Sequence, residues 1–143
     1  GRPRRPLRAS PTSSRAGIEF ITDERTPVTV EFIAQVSPAK LDLGPFEDKP
    51  TARTEGVREA TRALWTSGSK EVGFWECTPG TFTARRDGYT EMCQILAGSV
   101  TIETDGGDSV RLSAGDTIVM PSGWVGTWHV HETLKKTYVT IAD

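Results

Sequence analysis

The sequence predicts an all-β domain built as a small barrel or jelly roll. Short segments rich in β-branched and aromatic residues recur at nearly even spacing in the second half of the chain. Gly, Pro and Asp separate them, and the chain has 14 Gly and 9 Pro in 143 residues. We find no convincing long helix. The predicted strands are 71–77, 81–86, 90–96, 99–104, 109–112, 117–120, 125–131 and 135–141.

The N-terminal half of the chain lacks this even spacing of strands, and we divide it into an arm and a segment of strands and loop. Residues 1–17 contain five Arg and no acidic residue, and they predict a flexible basic arm. Residues 18–61 predict N-terminal strands, at 18–21 and 28–33, followed by a wrapping loop over 37–57, with one helical turn at 38–41. Residues 57–64 fit a short helix, whereas 62–66 fit a strand. The barrel itself is predicted over 62–143.

Charge and composition exclude several classes of protein. The chain beyond residue 15 carries 12 basic and 19 acidic side chains, a net charge of −7, which argues against a nucleic-acid partner. No apolar run approaches the ~20 residues that span a bilayer, so we expect a soluble, cytoplasmic protein without a membrane partner. Cys77 and Cys93 do not form a disulfide scaffold, and we expect two reduced, buried thiols.

Residues 115–128, GDTIVMPSGWVGTW, are the clearest local signal in the chain. Gly115 and Asp116 predict a sharp turn before a short apolar strand. Pro121 ends that strand because it cannot donate to a sheet ladder, and Gly123 permits a second reversal. Two short strands joined in this way indicate a tightly turned β-structure.

This segment, together with residues 89–98 (YTEMCQILAG), resembles the two sequence motifs of the cupins. The segments 75–80, 126–128 and 136–138 are similar to small single-domain cupins grouped with ureidoglycine aminohydrolase. The resemblance covers residues 62–143 well. It implies a cupin-type β-barrel with one open mouth, forming a homodimer. Because cupins support many chemistries, function has to be argued from the site.

The resemblance also locates the positions of the metal ligands in metal-dependent cupins. Glu91 stands at the position of the Glu ligand. The two His of the first motif fall on Ala84 and Arg86, or on Arg85 and Asp87 with the shorter spacing, and the last His falls on Gly126. One carboxylate does not hold a transition metal. We therefore expect no metal and no cofactor at the usual position.

Glu91 is the central candidate residue. It shares a strand face with Cys93, which the motif places inside the barrel. A carboxylate in an apolar interior needs a cation or several hydrogen bonds. We hypothesise that Arg85, Arg86 or Lys136 supplies the counter-charge; the alternative is a solvated Glu91 at the barrel mouth. Lys136 and Tyr138 share one strand face and complete the candidate catalytic set.

Aromatic residues supply the other candidates for a small-molecule site. The predicted ligand-binding residues are Trp75, Arg85, Arg86, Tyr89, Cys93, Trp124 and Trp128. Alternation along the strand places Trp128 inward and His129 and His131 outward. Phe74 and Phe82 are expected in the core. Cys93 is expected to be structural rather than nucleophilic, since no His lies in phase with it.

Three functions remain open from the sequence. The first is binding of a polar, sugar-like or ureido-like small molecule between the aromatics and Glu91. The second is catalysis, either as a metal-independent isomerase or lyase using Glu91, Lys136 and Tyr138, or as a ureidoglycine aminohydrolase-like hydrolase with a non-standard metal site. The third is a structural or regulatory dimer without turnover.

Overall fold

A computed structural model describes residues 13–21 and 27–143, and the side chains from residue 29 onward. Residues 1–12 of the predicted arm lie outside the described residues. The backbone forms two compact units, with the boundary in the chain between Leu41 and Asp42. The division into an arm, residues 18–61 and residues 62–143 stays a prediction.

The first unit contains an antiparallel hairpin. Strand β1, Ser13–Ile21, pairs with β2, Pro27–Gln35, in a regular register. Its first residues, 13–17, belong to the segment that we assigned to the arm. A single 3₁₀ turn follows at Pro38–Lys40, where a helical turn was expected.

The second unit is the predicted all-β domain, which confirms the fold class. Its strands are all antiparallel, and β4, β5, β10, β7 and β8 are consecutive neighbours in the sheet. In addition, β6 pairs with β10, and β9 pairs with β7. The strands are β3 (Glu47–Asp48), β4 (Arg58–Ser67), β5 (Lys70–Cys77), β6 (Gly80–Arg85), β7 (Tyr89–Thr104), β8 (Ser109–Ser113), β9 (Thr117–Met120) and β10 (Val125–Ala142).

The helical alternative for residues 57–64 is wrong, because residues 58–64 belong to β4. Among the residues that the structure describes, no helix is long and apolar enough to cross a membrane. Both cysteines are free and buried.

Two predicted strand pairs are in fact single long strands. The segments 90–96 and 99–104 are joined in β7, and 125–131 and 135–141 are joined in β10. Gly98 has φ +85°, and a Cβ there would lie 2.1 Å from the carbonyl oxygen of Thr133. The register between β7 and β10 shifts opposite this point, between Val130 and Lys136. Ala97–Gly98 is therefore part of a bulged bend, not a chain-reversing turn.

The bend brings both halves of the long strands around one core. The first half of β10 lies between β6 and β7, and its second half lies between β5 and β7. Inward-facing residues from both halves pack in one apolar cluster, which includes Trp75, Phe82, Ile95, Val100, Trp128 and Tyr138. Phe74 is also buried, but it lies outside this cluster.

Candidate functional site

A cavity of about 190 Å³ opens from this core to solvent. It is smaller than the roughly 300–1,000 Å³ typical of drug-sized ligands, so it suits a small metabolite. Its walls combine aromatic rings with charged groups. The lining residues are Lys49, Thr61, Trp75, Phe82, Arg86, Glu91, Trp128, Lys136, Tyr138 and Thr140.

Glu91 lies at the centre of a buried ion cluster. Its side chain is 8% exposed, and Lys136 Nζ donates to Oε2 at 2.6 Å. Arg86 Nε lies 3.1 Å from Oε1. The counter-charge hypothesis therefore holds for Arg86 and Lys136, and Glu91 is not a solvated residue at the barrel mouth. We refer to Arg86, Glu91 and Lys136 as the ion cluster.

The charges of the cluster control the protonation of Glu91. Burial alone raises the pKa of this carboxyl group, but Lys136 and Arg86 outweigh burial and hold it below its usual value of 4.5. Cys93 Sγ donates to Glu91 Oε2 at 2.9 Å. Burial raises the pKa of the Cys93 thiol to about 12. Cys93 is therefore a protonated donor to Glu91 at neutral pH, which is the structural role that we expected of it.

The Pro-x-Gly turn fixes Arg86 beside this cluster. The Arg86 backbone N–H donates to the carbonyl of Trp124 at 2.8 Å, and Gly123 N–H donates to the Arg86 carbonyl at 2.7 Å. The guanidinium lies against the rings of Tyr89 and Trp124, each centroid 5.8 Å away. The Pro-x-Gly turn thus holds a cation beside Glu91, at one of the alternative positions that the sequence resemblance assigns to a metal ligand.

Lys136 is held by two indole rings in addition to Glu91. Its Nζ lies 4.5 Å from the centroid of Trp75 and 4.6 Å from that of Trp128. The face of an indole attracts cations through its quadrupole. Lys136 is therefore a cation held in place in the barrel interior, where it pairs with a carboxylate and contacts two aromatic faces.

Two further carboxylates lie beside the cavity, one in an ion pair and one accepting a hydrogen bond from a phenol. Lys49 Nζ donates to Glu59 Oε1 at 2.8 Å, and Trp75 Nε1 donates to the same oxygen at 2.9 Å. Tyr138 Oη donates to the carboxylate of Glu71. Burial and this bond to Glu71 raise the pKa of the Tyr138 hydroxyl. The phenol is therefore a hydrogen-bonding group at neutral pH and a weak proton donor.

The predicted site residues fall into two groups. Six of them line the cavity: Trp75, Arg86, Glu91, Trp128, Lys136 and Tyr138. Four of them do not. Arg85 is exposed and lies 3.7 Å from Asp87, and Cys93 is enclosed behind Glu91. Tyr89 and Trp124 contact the guanidinium of Arg86, and Trp124 Nε1 donates to Thr104.

Four lining residues were missing from the predicted site: Lys49, Thr61, Phe82 and Thr140. Thr140 is in phase with Lys136 and Tyr138, so strand alternation could have identified it. Phe82 was assigned to the core, and it both packs there and lines the cavity. Lys49 lies in a proline-rich segment without a strand pattern, and only the tertiary structure places it.

The residues at the positions that the sequence resemblance assigns to cupin metal ligands do not fit a metal. Arg86 presents a cation to Glu91, and a Cβ at Gly126 would lie 2.2 Å from the Glu103 carbonyl oxygen. No group of three or more His, Cys, Asp or Glu among the described residues is arranged to hold an ion. The donor set offers one carboxylate, already bound by two cations.

The two histidines lie on the outer face, as strand alternation predicted. His129 Nε2 is 2.7 Å from Glu103 Oε1, and His129 Nδ1 is 3.2 Å from the Thr81 hydroxyl. His131 is exposed and lies 2.8 Å from the hydroxyl of Thr101. Neither residue contributes to the cavity.

Three solved structures share this architecture. EutQ from Clostridium difficile superposes with a TM-score of 0.64 at 22% identity, covering 78% of this chain and 87% of that protein. A DUF861-family protein of unknown function from Pseudomonas syringae gives 0.64 at 19% identity, covering 79% of this chain but only 49% of that protein. The cupin domain of Cnp3 from Schizosaccharomyces pombe gives 0.62 at 12% identity, covering 90% and 88%.

Identities this low show the fold alone. No curated protein matches the chain. The sequence model of the EutQ-like cupin domain matches residues 64–138, just over half of the chain. That span runs from within β4 to within β10 and includes Glu91, Arg86 and Lys136. The chain therefore belongs to the EutQ-like cupin domain family, within the cupin superfamily.

Proposed function

We propose that this cupin domain binds a small polar molecule in the barrel cavity, without a metal at the usual cupin position. The observation that carries this proposal is the cavity wall itself. The indoles of Trp75 and Trp128 face the same small space as the ion cluster and the hydroxyl of Tyr138. Aromatic walls with a few fixed polar groups are typical of sites for small ligands.

The ligand classes that we favour are sugar-like and ureido-like molecules. Both present flat or weakly puckered faces that pack on indoles, and both carry several hydrogen-bonding groups. The ureido class also corresponds to the sequence resemblance to cupins grouped with ureidoglycine aminohydrolase. Binding requires no ordering of the ion cluster, because Glu91 already pairs with Arg86 and Lys136.

A thermal-shift titration against sugars, ureido compounds and small organic acids tests this function. A ligand of the folded state should raise the melting temperature in a dose-dependent way. We expect Thr140→Phe to abolish the shift, because Thr140 lines the cavity and a phenyl group would fill it. The matched control is Thr66→Phe, at an exposed position of β4, which should retain the shift. A shift that survives Thr140→Phe would place the ligand elsewhere.

Catalysis is the second candidate, because Glu91, Lys136 and Tyr138 all line one cavity. The lowered pKa of Glu91 makes it a weak base, and the raised pKa of Tyr138 makes it a weak acid. We therefore rank isomerase, lyase and hydrolase activity below binding. Mass spectrometry of each stabilising ligand after prolonged incubation distinguishes the two, since a pure binder returns the ligand unchanged.

We further propose that the domain forms a homodimer through an apolar row on the outer face of the sheet. Five side chains follow one another across β4, β5, β10, β7 and β9 in the strand registers: Trp65, Val72, Val139, Met92 and Val119. Trp65, Met92 and Val119 are 41%, 37% and 56% exposed. Val72 and Val139 are half-buried, so solvent reaches all five side chains. A contiguous, solvent-accessible apolar row of this kind is typical of an interface between subunits.

We expect Val119→Glu to convert the dimer to a monomer in sedimentation velocity, because a two-fold interface would bring two buried like charges together. Val110→Glu is the matched control. Val110 is a similarly exposed valine on β8, outside the row. A monomeric wild-type protein at all concentrations, or equal effects of the two substitutions, would argue against this interface.

A further inference from the structure

The cavity walls contain hydrogen-bond donors without acceptors. Among the described residues, two buried side-chain nitrogens that lack a hydrogen-bond partner are Arg86 Nε and Trp128 Nε1. Arg86 Nε is close to Glu91 Oε1, at 3.1 Å, but is not aligned to donate to it. Both residues line the cavity, and Trp128 is only 1% exposed. Both orphan atoms are N–H donors with almost no surface open to solvent, so an occupant that reaches them through a small shift of the two side chains must supply acceptors.

The charges around the cavity also favour an occupant that supplies hydrogen-bond acceptors. Lys49, Arg86 and Lys136 line it together with one carboxylate, Glu91. Glu59 neutralises Lys49 from behind, whereas Arg86 and Lys136 share Glu91 alone. Glu71 accepts a hydrogen bond from Tyr138, so its carboxylate is bound to a phenol rather than to a cation of the ion cluster. The ion cluster therefore holds two cations and one anion in a buried setting, and a second anion would complete it.

From these two observations we infer that the ligand, whether or not the rest of it is sugar-like or ureido-like, is a small organic acid whose carboxylate binds beside the ion cluster. This inference rests on the proposed binding function. The carboxylate supplies the missing negative charge, and it accepts from Trp128 Nε1 and Arg86 Nε once a small shift of these side chains opens the two donors to the cavity. The remainder of the molecule packs against the indole of Trp75 and the ring of Phe82. A volume near 190 Å³ limits this remainder to a few carbon atoms or one ring.

Matched acid and amide pairs test the inference. Benzoate is compared with benzamide, and malonate with malonamide, by calorimetry and by quenching of tryptophan fluorescence at constant ionic strength. Each amide has the shape of its acid, but it lacks the charge and adds N–H donors. We expect at least one acid to bind, with about tenfold or greater preference over its amide, the scale of one hydrogen bond to a charged group.

Two substitutions connect the preference to the cavity. Trp128→Phe keeps an aromatic ring but removes the indole N–H, and we expect it to weaken acid binding about tenfold. Lys49→Gln removes one lining cation, and it should weaken binding of the acid more than binding of the amide. The matched control is Lys70→Gln, the same change at an exposed residue of β5, which should leave both affinities unchanged.

The outcomes are distinguishable. Equal affinity for acid and amide would overturn the carboxylate assignment while leaving cavity binding intact. Binding of sulfate in place of both acids would assign the site to an inorganic oxyanion and would also overturn it. Binding of an acid that is unchanged by Trp128→Phe and Lys49→Gln would place the acid outside this cavity. If neither acid binds, the inference is overturned. If no member of the thermal-shift panel binds, the proposed function is overturned as well.

Discussion

Replacing Glu91 by Gln is expected to lower the free energy of unfolding by about 3–5 kcal/mol, the scale of breaking a buried ion pair. The amide keeps the shape of the carboxylate but leaves Arg86 and Lys136 buried without a counter-charge. It also removes the charged acceptor of the Cys93 thiol. Urea unfolding at neutral pH, followed by tryptophan fluorescence, measures the change.

Glu103→Gln is the matched control, because it makes the same change on the same strand. Glu103 is 54% exposed and pairs with His129 on the outer face, so we expect a loss of about 1 kcal/mol or less. Adding Lys136→Met to Glu91→Gln should restore part of the stability, since it removes one unpaired buried charge. Equal stability of the wild type and Glu91→Gln would mean that the ion cluster is open to solvent.

The ionisation of Glu91 should make the free energy of unfolding depend on pH, and the direction of this dependence follows from its pKa. Its pKa is lower in the folded protein than the ordinary value of 4.5, so its contribution to stability is complete above that value. The contribution is lost as the pH falls through the lower, folded-state pKa. The stability difference between wild type and Glu91→Gln should therefore be constant from pH 7 to about 5 and narrow in stronger acid. A difference that instead narrowed between pH 7 and 5 would mean that the pKa of Glu91 is raised.

Much of the fold follows from local sequence signals. Gly and Pro punctuation located the strands of the barrel, because turns of two to four residues require backbone conformations that few residues adopt. The conformational freedom of glycine also caused an error in the predicted strand boundaries. Gly98 has a positive φ both in a chain-reversing turn and in a bulge, and only the register opposite Val130–Lys136 shows that β7 continues. Residues 57–64 fitted a helix locally, but pairing with β5 makes residues 58–64 part of a strand.

Less of the site than of the fold could be predicted from the sequence. Strand alternation correctly grouped Glu91 with Cys93, and Lys136 with Tyr138, on inward faces. It did not decide between Arg85 and Arg86, since neighbouring residues face opposite sides and the end of a strand leaves the phase open. Hydrogen bonds to Gly123 and Trp124 settle that choice. Lys49 reaches the cavity because its segment is held by long-range bonds, such as Thr83 N–H to the Thr51 carbonyl. No local pattern encodes those bonds.

Substitution of Gly126 is the second change for which we expect a large loss of stability. Gly126→Ala should destabilise the domain by about 3 kcal/mol, at the upper end of the cost of overpacking. A Cβ there would lie 2.2 Å from the Glu103 carbonyl oxygen and 2.4 Å from the ring of Trp124. The first contact is with the backbone of β7, which cannot rotate away. Gly107→Ala is the control, because its nearest contact is an ordinary 3.5 Å, and we expect a change within about 0.5 kcal/mol.

The crowding around Gly126 also bears on whether this barrel could hold a metal ion. By the sequence resemblance, Gly126 stands at the position of the last His ligand of metal-dependent cupins, so Gly126→His would supply one of the three histidines that this chain lacks. We expect that variant to be destabilised like Gly126→Ala and to bind zinc no better than wild type in calorimetry. Trp124→Ala combined with Gly126→His relieves only the contact with the ring, because the Glu103 carbonyl stays in place. Stoichiometric zinc binding by a stable Gly126→His variant would show that β10 can move away from β7, and that the ion cluster is interchangeable with a metal. Failure to bind zinc would agree with the crowding around Gly126 and with Arg86 beside Glu91, which leave the barrel a single carboxylate that cations already bind.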